Sequence, residues 1–500
     1  HELFHHWFGD LVTCESWANL PLNESFATYG EYLWDEYKYG RDQADVALEA
    51  FGSTYKFSNQ YSSVSMIRFD YEKQEDMFDA NSYHKGGAVL HMLRKHVGDE
   101  AFFASLKMYL NRFKFSTAEL SDLRKCFEEV TGEDLNWFFN QWFITKDFPV
   151  LKVTREVVGK DMKITVVQTA DFFRLSLDID VIDQSGKKRH RLMVEEDSQT
   201  FIIPLAANKA LIFDAENQLL CEKQMLNSEE IWKNQYKYAE LTQHRIEAFS
   251  NLLEMLKTAD EKNKLCMEML NHSFYKCRTA ALTQMQNMDI SLMNAELLEK
   301  VKTLALTDPK SEVRVNCSIF LGKQKSTETL VKMLSDSSYD VVEQAFHKLL
   351  ELDQAEAYRL ANSYRNTNDD RMMKIAAVII AISSQNDEVE YFHNIIRTRS
   401  SKNMNAIAWV LANYFEKTSH SVQIDKFVNG LRDMLEDKSN NRARENAKKT
   451  VKTLLYALEQ YNGYYNYLIK ENPKLKKAYT EILSNHEKLK LKLSELKIED

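Results

Sequence analysis

Two imidazoles and two carboxylates near the start of the chain have the residue types and spacing of a metal centre. His1, Glu2 and His5 stand in the order His-Glu-x-x-His, and Glu24 follows after an 18-residue spacer, residues 6 to 23. On a helix, residues four apart lie on one face about one turn apart, so both rings can reach one ion. Glu2 leaves an adjacent face, close enough to hold a water at that ion. Glu24 lies in Leu22-Asn23-Glu24-Ser25-Phe26-Ala27, which reads as the start of a second helix. Two histidines and one carboxylate leave a fourth position on zinc open for water or a substrate carbonyl, as a catalytic site requires. The spacing therefore predicts one Zn2+ per chain, held by His1, His5 and Glu24, with Glu2 beside its water.

Glu31, seven residues beyond Glu24, returns to the same helical face two turns on. It reads either as an acceptor for the second ring N–H of a ligating histidine or as a solvated carboxylate, and Asp10 carries the same two readings. His6, His84, His91 and His96 gain no such support and read as surface or core histidines.

The elements that must position these groups follow from periodicity. Leu90, Leu93 and Val97, and then Leu120, Leu123 and Phe127, recur at helical spacing, and the aromatic run Leu135 to Phe143 ends at Asp147-Phe148-Pro149, a domain boundary. Beyond it the period becomes two. Leu175, Leu177, Ile179 and Val181 alternate with Ser176, Asp178 and Asp180, the pattern of a half-buried antiparallel strand. Gln184-Ser185-Gly186-Lys187 supplies a turn, and Met162–Val167, Leu192–Val194, Phe201–Ile203 and Ala210–Phe213 read as further strands of a small β-sandwich. The remainder is helical and repeats: Asp308, Val313, Cys317 and Leu321 return 28 residues later as Asp336, Val341, Ala345 and Leu349. Looser echoes fall at Cys277 to Ala280, Asp369 to Ala376 and Asp437 to Ala447. A polar turn followed by a helix with a small residue at its crossing point is the unit of a HEAT-like α-solenoid. The expected architecture is mainly α with a small β domain, divided at 1–149, 150–222 and 223–500. The Lys-rich last helix, Lys474 to Lys492, reads as a solvated face rather than an anionic partner site.

With 500 residues, more than one core is required. Only 13 Gly and 5 Pro fit a helical chain with few long loops. A net charge of -9 argues against nucleic acid as a partner, which needs a concentrated basic face. No stretch of about 20 apolar residues spans a membrane. Six irregularly spaced cysteines form no disulfide framework and read as buried thiols. The composition leaves compartment and oligomeric state unassigned.

His1 to His5, the run Trp7-Phe8-Gly9-Asp10-Leu11-Val12-Thr13, Trp17 and Asn23-Glu24 closely resemble the aminopeptidase N family of zinc metallopeptidases (gluzincins). Tyr83-His84-Lys85-Gly86 is similar to that family's Tyr-x-Lys-Gly element. The resemblance implies a thermolysin-like helical catalytic subdomain, then a β-sandwich and a helical-repeat domain that closes over the catalytic part. It implies peptide substrates cleaved at their N-terminal residue, with Glu2 as general base and Tyr83 donating a hydrogen bond to the developing oxyanion. Two local departures concern backbone shape: Ser25 stands where Gly is usual, and Pro21 precedes the Leu-Asn-Glu run. The family's amino-terminus-recognising G-x-M-E-N motif does not occur, and a ligand at residue 1 leads us to expect a C-terminal piece of a longer polypeptide. Two other readings compete: a zinc hydrolase of a non-peptide substrate, as in the epoxide-opening leukotriene hydrolase, and a non-catalytic peptide-binding scaffold built on the solenoid. Retention of His1, Glu2, His5, Glu24 and Tyr83 together argues against the scaffold.

Overall fold

The computed structural model describes residues 1–60, 63–183, 186–204, 210–496 and 498. The chain divides into two compact units, His1–Leu265 and Cys266–Asp500.

The first unit opens with a short strand β1 (Val12–Cys14) and the long helices α1 (Pro21–Tyr39) and α2 (Arg41–Asn59). Pro21 occupies the first position of α1, where its fixed φ suits a helix and its missing N–H costs nothing. Helices α3 (Gly86–Val97) and α4 (Asp99–Phe113) follow, then strand β2 (Ser116–Ala118), α5 (Leu120–Thr131) and the short α6 (Asn136–Phe139). Strand β1 pairs β2 in parallel, a feature too short for its periodicity to show in the sequence. Leu90, Leu93, Leu123 and Phe127 are fully buried, as their spacing predicts, and so are Phe139, Trp142 and Phe143 from the aromatic run.

Nine strands in all are described; β3 (Val150–Val158) to β9 (Glu222–Leu226) form two sheets, ordered β7-β4-β3-β9 and β6-β5-β8. The members between are β4 (Asp161–Gln168), β5 (Leu175–Asp183), β6 (Gly186–Val194), β7 (Ser198–Pro204) and β8 (Ala210–Ile212). Gln184 and Ser185 of the expected turn lie outside the described residues. Strand β5 differs from expectation: Asp178 and Asp180 are 4 % and 3 % exposed, so both its faces are covered. Its register explains this. Asp178 faces Arg191 and Asp180 faces Arg189 across the β5–β6 ladder, with Nε–Oδ1 distances of 2.8 and 2.7 Å. Each carboxylate is thereby neutralised inside the fold, and a one-residue slip would break both Asp–Arg pairs. Arg191 also donates to the carbonyls of Lys95 and His96, the otherwise unpaired C-terminal end of α3. The sheet thus grips the C-terminal end of α3, the helix that follows the turn carrying Tyr83. Helices α7 (Glu229–Tyr238) and α8 (Thr242–Met255) complete the unit, and Thr242 Oγ1 donates to Asp42 of α2 at 2.8 Å.

The second unit is helical throughout its described residues. Helices Ser311–Lys323 and Tyr339–Leu352 carry the two copies of the repeat, and Val313, Cys317, Leu321, Val341, Ala345 and Leu349 are all buried. The repeated aspartates are working parts of the turn. Asp308 accepts a bidentate pair from Arg278 at 2.7 and 2.9 Å, and Asp336 accepts the same from Arg314 at 2.6 and 2.7 Å. Each aspartate also caps its own turn, Asp308 Oδ1 accepting from Lys310 N and Asp336 Oδ1 from Ser338 N. One aspartate per copy therefore ends one helix pair and ties it to the preceding one.

No disulfide joins the six cysteines, five of which are buried and Cys14 half-buried. No helix among the described residues is long and apolar enough to cross a membrane.

Candidate metal centre

The His-Glu-x-x-His segment is held against α1 by its hydrophobic residues. The Phe8 ring stacks on Phe26 of α1 with centroids 4.2 Å apart. The Phe4 ring lies so close to Gly30 that a Cβ there would stand 2.5 Å from it. Gly9, at φ +151°, then turns the chain towards β1; a Cβ at that position would meet the His5 carbonyl at 2.9 Å.

The local conformation differs from the helix expected. Residues 1 to 6 form a turn and a 3-10 helix, Phe4–His6, with Phe4 N–H bonding to His1 C=O at 2.9 Å and Trp7 N–H to Phe4 C=O at 3.0 Å. Bonds from i to i−3 tighten the turn, as often happens at the end of a helical stretch. Five-residue loops then follow, Asp10 N–H returning to His5 C=O and Leu11 N–H to His6 C=O. The two imidazoles still converge, with ring centroids 5.0 Å apart in an edge-on arrangement.

Glu24, in the first turn of α1 and buried, completes the cluster. Its Oε2 lies 3.2 Å from His1 Nε2 and 3.3 Å from His5 Nε2. All three donor atoms fall within 4.8 Å of one another. The outer ring nitrogens explain why these are ligand atoms. His1 Nδ1 meets Glu31 Oε1 at 2.9 Å, and His5 Nδ1 meets the Phe8 carbonyl at 3.0 Å. Both of those oxygens are acceptors, so in each neutral ring the proton sits on Nδ1 and the Nε2 lone pair points inward at a carboxylate. Three converging lone pairs repel unless a cation lies between them. A zinc ion about 2.0–2.1 Å from tetrahedral donors would set them about 3.3 Å apart, the separations seen from Glu24 to each histidine. The donor set and spacing fit that ion.

The structure brings Glu31 to His1 and withholds Asp10. The Asp10 carboxylate faces His6 Nδ1 at 3.6 Å on the exposed surface, and the backbone carbonyl of Phe8 takes the place at His5. No sequence pattern announces a backbone acceptor, since every residue has one. His91 is fully buried against the Tyr29 hydroxyl, and His96 lies near Glu133, both away from the cluster.

Burial raises the Glu24 carboxyl above its ordinary pKa, with the His5 charge and the Tyr83 phenol opposing the shift. Tyr83 lies in a π-helical turn, Asn81–Lys85, immediately before α3. Its ring stacks over His1 at 5.8 Å between centroids. Burial and the Glu24 charge push its phenol up to about 12, so the group remains a hydrogen-bond donor at neutral pH. Glu2 is exposed beside the cluster, and its charge is felt at both Glu24 and Tyr83.

The turn that presents Tyr83 is locked to α1 by the residue that departs from the family pattern. Ser25 Oγ donates to the Ser82 carbonyl at 2.8 Å, and a Cβ at Gly86 would stand 1.8 Å from that same Oγ. Glycine at 86 is what lets α1 and α3 cross here. Lys85, fully buried, donates to the Thr145 carbonyl at 3.0 Å over the Tyr55 ring at 5.3 Å, fixing the other side of the turn.

Known proteins resemble this chain in sequence and in fold. Residues 1–142 match the family described as the peptidase family M1 domain. Aminopeptidase M1-A of Oryza sativa subsp. japonica is 34 % identical over 179 residues, which is 34 % of this chain and 19 % of that protein. Aminopeptidase N of Streptomyces lividans is 38 % identical over 159 residues, 30 % of this chain and 18 % of that protein. These matches thus span about a fifth of the length of the curated relatives. Among solved structures, Legionella pneumophila aminopeptidase A in complex with aspartic acid shares the fold, with a TM-score of 0.59 at 15 % identity, over 98 % of this chain and 64 % of that one. The converging donors, the Tyr83 turn and the match to the peptidase family M1 domain occupy one stretch of chain, residues 1–142.

Proposed function

We propose that the chain is the zinc-bearing part of an aminopeptidase, which removes N-terminal residues from peptides by hydrolysis. The observation that carries this reading is the pair of separations from Glu24 Oε2 to the two inward-facing imidazole nitrogens, 3.2 and 3.3 Å. A zinc ion held by His1, His5 and Glu24 supplies Lewis-acid polarisation of the scissile carbonyl and acidifies water. The Glu2 carboxylate takes the proton from the attacking water and later delivers it to the leaving amine. The Tyr83 hydroxyl donates to the carbonyl oxygen as negative charge grows there, an interaction that strengthens towards the transition state. Glu31 and the Phe8 carbonyl fix the two rings with Nδ1 protonated, keeping Nε2 available as a ligand.

In this reading β3 to β9 form a β-sandwich domain and the second unit is a HEAT-like solenoid. The latter is supported by the repeated Asp–Arg ties at Asp308 and Asp336.

The test is zinc content and aminoacyl-anilide hydrolysis for the chain and its Glu2→Gln variant. Zinc near one equivalent in both, with kcat lowered about 10²- to 10⁴-fold in the variant, is expected for loss of a general base. Less than a tenth of an equivalent after metal-replete purification, or undiminished turnover in the variant, would sink the assignment.

A further inference from the structure

A polar cavity of about 550 Å³ lies in the first unit, walled by α2, by the segment Asn217–Gln224 and by α8. The candidate metal ligands do not line it. Its walls contain polar groups that the fold leaves unsatisfied. Gln218 is 3 % exposed; its Nε2 donates to the Ser176 carbonyl at 3.0 Å, which leaves Oε1 as a buried acceptor with no partner. Lys223, on β9, reaches Asp214 only at 3.7 Å and Glu247 only at 4.0 Å. Both distances lie beyond the 2.7–2.9 Å of a charge-assisted hydrogen bond, so no described residue accepts from this ammonium at bonding range. Burial lowers the affinity of Lys223 for its proton, but Glu247 and Asp214 outweigh that and keep it charged. Lys56 of α2 donates once, to the Cys221 carbonyl at 3.3 Å, with further N–H groups to spare.

A half-buried ammonium whose carboxylates stand beyond hydrogen-bond range, and a buried acceptor with no partner, both favour an occupant that fills the space between them. The remaining lining gives the character of the occupant. Glu49 and Glu222 are exposed at the rim, and Leu48, Val150 and Leu220 supply apolar wall. We infer that this cavity binds a small apolar α-amino acid. Its carboxylate accepts from Lys223 and Lys56, its ammonium donates to Gln218 Oε1 towards the acidic rim, and its side chain covers Leu48 and Leu220. The lining carries three carboxylates against two ammonium groups. That balance suits a zwitterion and repels a simple anion. The inference needs neither the metal nor hydrolytic activity, so it stands or falls separately from the proposed function.

The probe is L-leucine, titrated calorimetrically into the full chain up to about 10 mM, above the ~1 mM Kd of a weak site. L-Leucinamide, which lacks the carboxylate, is the comparison ligand. L-Leucine is expected to bind the unaltered chain and the His5→Ala variant alike, and leucinamide, an amide that the proposed peptidase site would accept, is expected not to bind His5→Ala. Lys223→Met should weaken L-leucine at least about 10-fold, the cost of losing a hydrogen bond to a charged group. That variant leaves Glu247 and Asp214 without their cation, so Lys56→Gln is the second arm; it keeps that cluster intact and should weaken binding in the same direction. Four results would each overturn the proposal: no heat of binding at the top concentration, binding lost in His5→Ala, equal binding of leucinamide to His5→Ala, or unchanged affinity in Lys56→Gln.

Discussion

Replacing Gly86 by alanine asks whether the crossing of α1 and α3 rests on the contact between Ser25 and a missing side chain. The new Cβ would stand 1.8 Å from Ser25 Oγ, 2.4 Å from Ser25 Cβ and 3.3 Å from Ser25 Cα. The first two distances lie far inside van der Waals contact, and both atoms belong to a short, buried side chain. Rotating Ser25 could relieve the first but not the second, and it would sacrifice the bond to the Ser82 carbonyl. The helices must therefore separate, at the roughly 1–3 kcal/mol typical of overpacking a core. For a folding unit of this size each kcal/mol lowers Tm by about 2–4 °C, so a drop of about 2–12 °C is expected by calorimetry. Ser25→Gly alone loses one hydrogen bond and gains a helical glycine, together about 1.5–2.5 kcal/mol. In the double variant the Oγ and Cβ clashes are gone and only the 3.3 Å approach to Cα remains. The two losses should then add to less than their sum, with a coupling of at least about 1 kcal/mol. Gly86→Ala should also move Tyr83, two residues from the turn's end, and lower anilide hydrolysis. A Gly86→Ala chain as stable as the unaltered one, or a double variant whose losses simply add, would refute the packing argument.

Three further outcomes follow from particular contacts. Glu31→Ala removes the acceptor that orients His1 Nδ1, and zinc affinity measured by chelator competition should fall about 10- to 100-fold, while Asp10→Ala leaves it unchanged. Lys85 is buried with its pKa lowered to about 8, so its charged form is disfavoured in the folded state below that value. This penalty, about 3 kcal/mol, fades as pH rises from about 8 to 10.5; stability relative to Lys85→Met should therefore rise through that window in pH-dependent thermal scans, and a flat difference would contradict the assignment. In the second unit, Asp308→Ala strands the Arg278 guanidinium, whose side chain is 9 % exposed, and should cost about 3–5 kcal/mol by chemical denaturation, whereas the exposed Glu328→Ala should cost under about 0.5 kcal/mol.

The chemistry was legible because it depends on residue type and spacing. His1, His5 and Glu24 are recognisable from the interval between them, and the metal-donor atoms do converge. Helices with long apolar stripes were equally legible, since burial of one face repeats every three to four residues. The repeated Asp308 and Asp336 could be found as a period, although their Arg partners, 30 and 22 residues earlier in the chain, could not. Strand β3 hid because fully buried Arg155 stands where an apolar residue would mark the alternation; its guanidinium is held by Asn227, the Leu211 carbonyl and Gln235.

The sequence by itself determined the candidate donors His1, His5 and Glu24, the candidate base Glu2, the candidate phenol Tyr83 and the order of helical, β and repeating segments. Tertiary structure alone decided which neighbours serve those groups. It chose Glu31 over Asp10, gave the other histidine a backbone carbonyl and coiled the His-Glu-x-x-His segment as a 3-10 turn. It also made Ser25 and Gly86 complementary and left Lys223 and Gln218 facing a cavity. The physical reason is the range of the interactions. Periodicity and ligand spacing are properties of short stretches of sequence, whereas hydrogen-bond partners, close backbone crossings and cavities depend on where segments meet, as His1 meets Glu31 and Ser25 meets Gly86, and exist only once the chain has packed.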